Sequence, residues 1–157
     1  MATTDPAVAL DRLRATALDL VSLVGGAGPA ALAAVPAPGE WSAATVVAHL
    51  ADAEQVWGAR ARMIITSDHP WLASYPEEAW ADRFAPLEPD VKETLSRWRL
   101  LRAATVRALA SCDEADWARE GVHDERGAIT LAALAGILAD HDRAHLGQIR
   151  RALAAAG

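Results

Sequence analysis

Three histidines are the residues of this chain best suited to chemistry. His141 and His145 lie one helical turn apart, and His49 lies far upstream in a similar apolar setting. Imidazoles at positions i and i+4 of a helix project from one face and can bind one metal ion. Three inward-facing histidines therefore predict a divalent-metal site with an open coordination position, which is the catalytic rather than the structural arrangement.

The ligand set narrows the choice of metal without selecting one. Neutral imidazoles suit zinc and nickel, and ligand type alone does not separate such ions. Three neutral ligands leave the charge of the ion uncompensated, so a bound water or thiol would lose its proton more readily. The alternative interpretation is that the three are hydrogen-bonded core histidines. The other two histidines, His69 and His123, are predicted to lie in surface loops.

Four polar residues on the same predicted helices are candidates for catalytic roles. Asp52 and Glu54 follow the first histidine closely, and each could accept a hydrogen bond from an imidazole or act as a general base. Gln148 follows the last histidine by three residues and could orient a ligand or a bound water. Arg60 lies further along the second helix and could meet an anionic group of a substrate.

Four long amphipathic helices must position these side chains. Apolar residues recur every three or four positions in each, and a residue that favours the N-cap precedes each one. The helices are predicted to run from about Asp5 to Gly25, from Ser42 to Thr66, from Asp90 to Ser111 and from Thr130 to Ala154. This pattern predicts an all-α four-helix bundle, formed by a single domain that spans residues 1–157.

The connections between the helices carry weaker signals. Residues 67–89 contain four prolines and no sustained period. They are predicted to form a long loop between the second and third helices, with a short helix around Glu77–Arg83. A connection this long is usually functional or a lid. Single helical turns are predicted at Ala30–Val35 and at Glu114–Arg119.

Composition and charge exclude several function classes. The formal net charge of −6 provides no basic footprint, so we expect no nucleic-acid or membrane partner. The single cysteine, Cys112, excludes an internal disulfide and fits a reducing compartment. No basic segment precedes an apolar run, and no window reaches the roughly 20 apolar residues of a membrane span. We therefore expect a cytoplasmic protein. Clustered arginines are interpreted as solvated helix faces: Arg97, Arg99, Arg102, Arg150 and Arg151.

Two segments resemble the DinB-like family of metalloenzymes. The segment EWSAATVVAHLADAE at 40–54 resembles the start of the second helix in DinB-like proteins, and LADHDRAHLGQI at 138–149 resembles their last helix. The resemblance implies a four-helix bundle, often a homodimer, with a divalent metal held by three histidines that map onto His49, His141 and His145. Some relatives are metal-dependent S-transferases that use low-molecular-weight thiols such as bacillithiol or mycothiol. Others resemble maleylpyruvate isomerases.

Three functions fit these observations. The first is a thiol S-transferase, in which zinc or nickel activates a low-molecular-weight thiol cosubstrate toward a small electrophile. The second is a metal-dependent hydrolase, with Asp52 or Glu54 as general base. The third is a non-enzymatic binding or stress-response module, in which the metal is structural or absent.

Overall fold

The computed structural model describes residues 5–88 and 90–157, and four long helices make up most of it. The long helices are α1 (Pro6–Gly25), α3 (Ala43–Thr66), α5 (Val91–Ala110) and α7 (Leu131–Ala155). The short helices between them are α2 (Pro29–Ala33), α4 (Glu77–Phe84) and α6 (Glu114–Trp117). A 3-10 turn, Ala85–Leu87, follows α4. None of the described helices combines the length and apolar character needed to cross a membrane.

The cap residues predicted from the sequence begin all four long helices. The Asp5 carboxylate accepts a hydrogen bond from the Ala7 N–H at 2.8 Å, and Asp90 accepts from two N–H groups of α5. The hydroxyls of Ser42 and Thr130 accept from the N–H three residues later, at 3.1 and 3.0 Å. Each cap satisfies a donor that the first helical turn leaves unpaired. The predicted starts are thus confirmed, and the predicted ends agree closely.

Each long helix packs mainly against two neighbours. Helix α3 packs against α5 and α7, and α1 packs against the same two helices. Helices α1 and α3 therefore lie diagonally across the bundle, as do α5 and α7. This arrangement confirms the predicted four-helix bundle, and it places the helices that carry the three histidines side by side.

The core of the bundle consists of two apolar clusters rather than one. Along α7, the first cluster ends at Ala139 and the second begins near Leu146. On α5, the charged side chain of Arg102 occupies the corresponding position between the two clusters. A buried polar layer therefore crosses the bundle, formed by Glu54, Arg102 and Asp142.

A small sheet at one end of the bundle is an addition to the all-α bundle that the sequence did not predict. Strand β2 (Glu120–His123) pairs antiparallel with β3 (Gly127–Thr130), and β1 (Trp71–Leu72) pairs parallel with β2. Strands of two to four residues are too short for the alternation of apolar and polar residues to be recognised in the sequence. The pairing also joins segments about 50 residues apart in sequence. The predicted short helix within 67–89 is confirmed as α4.

The two remaining histidines lie at opposite extremes of burial. His69 is exposed, as predicted for a surface loop. His123 was predicted to be exposed as well, but it lies in β2 and is only 4% exposed. The prediction failed because the hairpin turns this side chain toward the body of the bundle.

Candidate metal centre

The three predicted histidines converge between α3 and α7. The Nε2 atom of His49 lies 3.1 Å from the Nε2 atoms of both His141 and His145. Nitrogen ligands that surround a zinc ion tetrahedrally at 2.0–2.1 Å lie about 3.3 Å apart. The observed spacing therefore fits one ion shared by the three rings.

The environment keeps two of these imidazoles neutral at neutral pH. Burial, followed by the charges of His145 and His141, lowers the pKa of His49 to about 3. Burial and then His141 lower the pKa of His145 to about 4, although the hydrogen bond with Gln148 opposes this shift. Neutral imidazoles retain the lone pair that a metal ion requires.

Gln148 fixes the orientation of one of the three histidines. Its Oε1 lies 2.8 Å from Nδ1 of His145, where it accepts a hydrogen bond from the ring. With the proton on Nδ1, the Nε2 lone pair of His145 faces the other two histidines. The structure therefore places this predicted residue beside a histidine of the site, in contact with the ring rather than with a substrate.

Asp142 lies behind a second of these histidines, and the sequence alone did not indicate it. Its Oδ1 is 3.7 Å from Nδ1 of His141, and both atoms are buried without a hydrogen-bond partner. Burial alone would raise the pKa of Asp142, but Arg102 and His141 outweigh this effect, so the pKa lies below its ordinary range. The signal that could have identified this residue is a carboxylate next to a histidine in the middle of an apolar helix.

Arg102 connects the two buried carboxylates of the polar layer. Its Nη1 lies 2.6 Å from Oδ2 of Asp142, and its Nε and Nη2 donate to Oε2 of Glu54 at 2.9 and 2.6 Å. Arg102 was interpreted as part of a solvated face, but it is 2% exposed. The two carboxylates and one guanidinium leave one net negative charge beneath the histidines, which favours a cation there.

A cavity of about 570 Å³ opens beside the histidines. His49, His145 and Gln148 line it, and the Trp41 ring lies next to His49 with 5.1 Å between ring centroids. The charged residues in the rest of the lining are four acidic side chains and one basic one: Glu40, Glu77, Glu78, Asp82 and Arg151. We call this space the histidine cavity. It gives a small molecule access to the side chains of His49 and His145.

The other predicted catalytic residues lie away from the histidine cavity. Asp52 faces α5, where its Oδ1 lies 3.6 Å from Nη1 of Arg97, and burial raises its pKa. Glu54 lies in the polar layer against Arg102. Arg60 lines a different cavity. The structure thus brings Gln148 to the three histidines, but not Asp52, Glu54 or Arg60.

Comparisons with known sequences identify the family. Residues 9–149 match the DinB superfamily. The chain is 30% identical over 111 residues to a protein of Oceanobacillus iheyensis that is named as a candidate metal-dependent hydrolase. A protein of Bacillus mycoides with the same description is 32% identical over 111 residues. Each match covers 71% of this chain but only 64% of the relative, so the chain spans less than two thirds of these proteins.

Comparisons with solved structures agree on the fold. YfiT from Bacillus subtilis, described as a probable metal-dependent hydrolase with an unusual four-helix bundle topology, superimposes with a TM-score of 0.85. The identity is 22%, over 94% of this chain and 85% of that one. The four-helix bundle protein TT2238 gives a TM-score of 0.69 at 23% identity, over 93% and 98% of the two chains. At these identities the likeness concerns the fold.

Proposed function

Because this chain belongs to the DinB superfamily and its three histidines meet beside a cavity that His49 and His145 line, we propose that it is a metal-dependent enzyme. His49, His141 and His145 would hold one divalent ion, zinc or nickel, through their Nε2 atoms. The observation that carries the proposal is the spacing of 3.1 Å from the His49 Nε2 to each of the other two Nε2 atoms. The names of the sequence relatives support metal dependence independently.

Three neutral nitrogen ligands suit a catalytic site because a fourth position remains for a reactant. When bound, a divalent ion would supply positive charge that lowers the pKa of a thiol or water beside it. Gln148 would hold the His145 ring in place while the reactant enters through the histidine cavity.

The reaction that we propose first is the transfer of a low-molecular-weight thiol to a small electrophile. The thiol sulfur forms a bond to the electrophilic carbon, the leaving group departs with the bonding electrons, and the thiol proton passes to solvent. The volume of about 570 Å³ accommodates a small thiol and an electrophile together. The resemblance of segments 40–54 and 138–149 to thiol-using relatives supports this choice.

A second candidate is hydrolysis, which the names of the sequence relatives favour. Water would then replace the thiol as nucleophile at the same position. Asp52 and Glu54 are less suited to act as its general base, because each lies against an arginine outside the histidine cavity. The acidic residues that line the cavity are better placed for that role.

Product analysis by mass spectrometry separates these reactions. Zinc-loaded and nickel-loaded protein is incubated with a chloro-aromatic electrophile and with an activated ester, with and without added thiol. A conjugate that requires thiol supports S-transfer, and incorporation of oxygen from labelled water supports hydrolysis. His145→Ala should abolish either product, whereas His69→Ala, at an exposed position, should not.

Turnover that persists in His145→Ala would refute the assignment of the site. One bound ion per chain without any product would leave the binding module as the function. We also propose, on the resemblance alone, that the chain forms a homodimer, which its molar mass in solution would test.

A further inference from the structure

Two arginines are more than nine-tenths buried in this bundle, and they differ in one respect. Arg102, 2% exposed, has two carboxylates as counterions. Arg60, 5% exposed, forms no ion pair with any carboxylate of residues 5–88 and 90–157. Buried arginines in native proteins are almost always paired, because an unpaired buried charge is strongly unfavourable. Arg60 is therefore a buried positive charge without a carboxylate counterion among the described residues.

Arg60 lines a cavity of about 240 Å³ that is distinct from the histidine cavity. We call this space the arginine cavity. Trp57 and Tyr75 also line it, and each of the three side chains has a buried polar atom without a partner: Arg60 Nε, Trp57 Nε1 and Tyr75 Oη. Arginine and tryptophan can only donate hydrogen bonds. All three atoms belong to side chains that line one cavity, so a ligand that accepts hydrogen bonds could pair with them after small side-chain rotations.

The walls of the arginine cavity are held in place. The Arg60 guanidinium lies over the Trp57 ring, 5.0 Å from its centroid, and its Nη2 donates to the carbonyl oxygen of Ala73. The N–H and hydroxyl of Ser74 both donate to Oδ2 of Asp124, at 2.8 and 2.6 Å. These contacts tie the segment after β1 to the turn between β2 and β3. The Arg60 side chain and the segment that precedes Tyr75 are therefore held in place before a ligand arrives.

The charges around the arginine cavity limit which ligands it can bind. Besides Arg60, the exposed Arg126 lines it, together with the carboxylates of Glu77 and Glu125. These two acidic side chains repel a dianion such as phosphate about twice as strongly as they repel a singly charged group. A group with one negative charge balances the buried guanidinium, and two acceptor oxygens on one carbon suit the available donors.

We propose that the arginine cavity binds one carboxylate group of a small molecule, with Arg60 as counterion and Trp57 and Tyr75 as further donors. The site is separate from the metal centre, because Arg60 follows His49 by 11 residues on α3, or about 16 Å along the helix axis. Binding here therefore requires neither the metal nor the proposed reaction. Glu77 lines both cavities and is the residue through which an occupant of one could affect the other.

Titration of acetate into the full-length protein tests this site. Chloride keeps the ionic strength constant, and the readouts are the thermal midpoint and the indole N–H signal of Trp57, assigned with Trp57→Phe. Acetate should raise the midpoint and shift that signal. Arg60→Met should weaken acetate binding by at least about tenfold, the usual effect of losing a hydrogen bond to a charged group. Arg62→Met is the matched control, because Arg62 is exposed two positions further along α3, and it should bind acetate like the wild type.

The stability of Arg60→Met without acetate provides a second test. If the guanidinium lacks its counterion, removing it should leave the acetate-free protein at least as stable as the wild type. Tyr75→Phe, which removes only the hydroxyl, should weaken acetate binding several-fold and covers the case in which Arg60→Met does not fold. Equal acetate responses in wild type and Arg60→Met would overturn the proposal. Tighter binding of phosphate than of acetate would overturn the assignment to a singly charged group.

Discussion

Asp142→Asn should weaken metal binding while leaving the bundle folded. When His141 binds a cation through Nε2, its Nδ1–H becomes a stronger donor and requires an acceptor. The only carboxylate oxygen that the structure places near this atom, within the described residues, is Asp142 Oδ1 at 3.7 Å. Neither atom has another hydrogen-bond partner, so a small rotation of either side chain completes the bond. Asparagine has nearly the same size but lacks the charge.

The expected loss of affinity follows from the role of such outer partners. Removing a carboxylate that supports a metal-binding histidine typically weakens metal affinity by about 10- to 100-fold. This corresponds to about 1.4–2.8 kcal/mol of binding free energy. A chelating dye that competes for zinc measures the dissociation constant over this range.

Glu54→Gln is the matched control for Asp142→Asn. Glu54 and Asp142 are both 1% exposed, and both pair with Arg102. Each variant therefore removes one carboxylate from the same polar layer, and each should lower the free energy of unfolding of the metal-free protein. Only Asp142→Asn also removes the acceptor of His141, so its loss of zinc affinity should be clearly larger. Equal losses of zinc affinity in the two variants would refute the role of Asp142 in positioning His141.

Three further predictions concern the same site. The lowered pKa values of His49 and His145, about 3 and 4, lie below the value of about 6.5 in an unfolded chain. Their contribution to stability is therefore present above about pH 6.5 and lost as the pH falls toward 4 and 3, so the urea midpoint of metal-free protein should be lower at pH 5 than at pH 7. Gln148→Leu removes the acceptor of the His145 Nδ1–H and should weaken zinc binding by about tenfold in the same dye competition. Zinc at 100 times its dissociation constant should raise the thermal midpoint by about 5–10 °C, and excess chelator should reverse the increase. If the thermal midpoint does not change when zinc is added, the histidines do not hold this ion.

The sequence predicts the long helices well because their signals are local. A cap such as Ser42 and the apolar period after it fix where α3 begins, without information from the rest of the chain. The same period indicates that His49, His141 and His145 face inward. It cannot provide the distances between them, because these depend on α3 and α7 being neighbours rather than diagonal partners.

The polar layer and the sheet could not be predicted in the same way. An arginine such as Arg102 on an amphipathic helix is ordinarily solvated, and only its two partners on other helices reveal that it is buried. Strand β2 acquires its neighbours from residues 71–72 and 127–130. In both cases the structure depends on contacts between distant parts of the chain, and a local sequence pattern cannot predict such contacts.

The polar layer also offers a reason for the position of the proposed metal site. Replacing a buried ion triad by apolar side chains of similar volume is often neutral or stabilising for the folded protein. A contribution to stability is therefore a weak explanation for the presence of Glu54, Arg102 and Asp142. Their combined charge is −1, and it lies directly behind the His141 ring. A divalent ion on the other side of the histidines would be partly compensated by this charge, and the buried carboxylate would in turn gain a partner. The metal-bound state would thus join two buried atoms, His141 Nδ1 and Asp142 Oδ1, that have no hydrogen-bond partner in the protein alone.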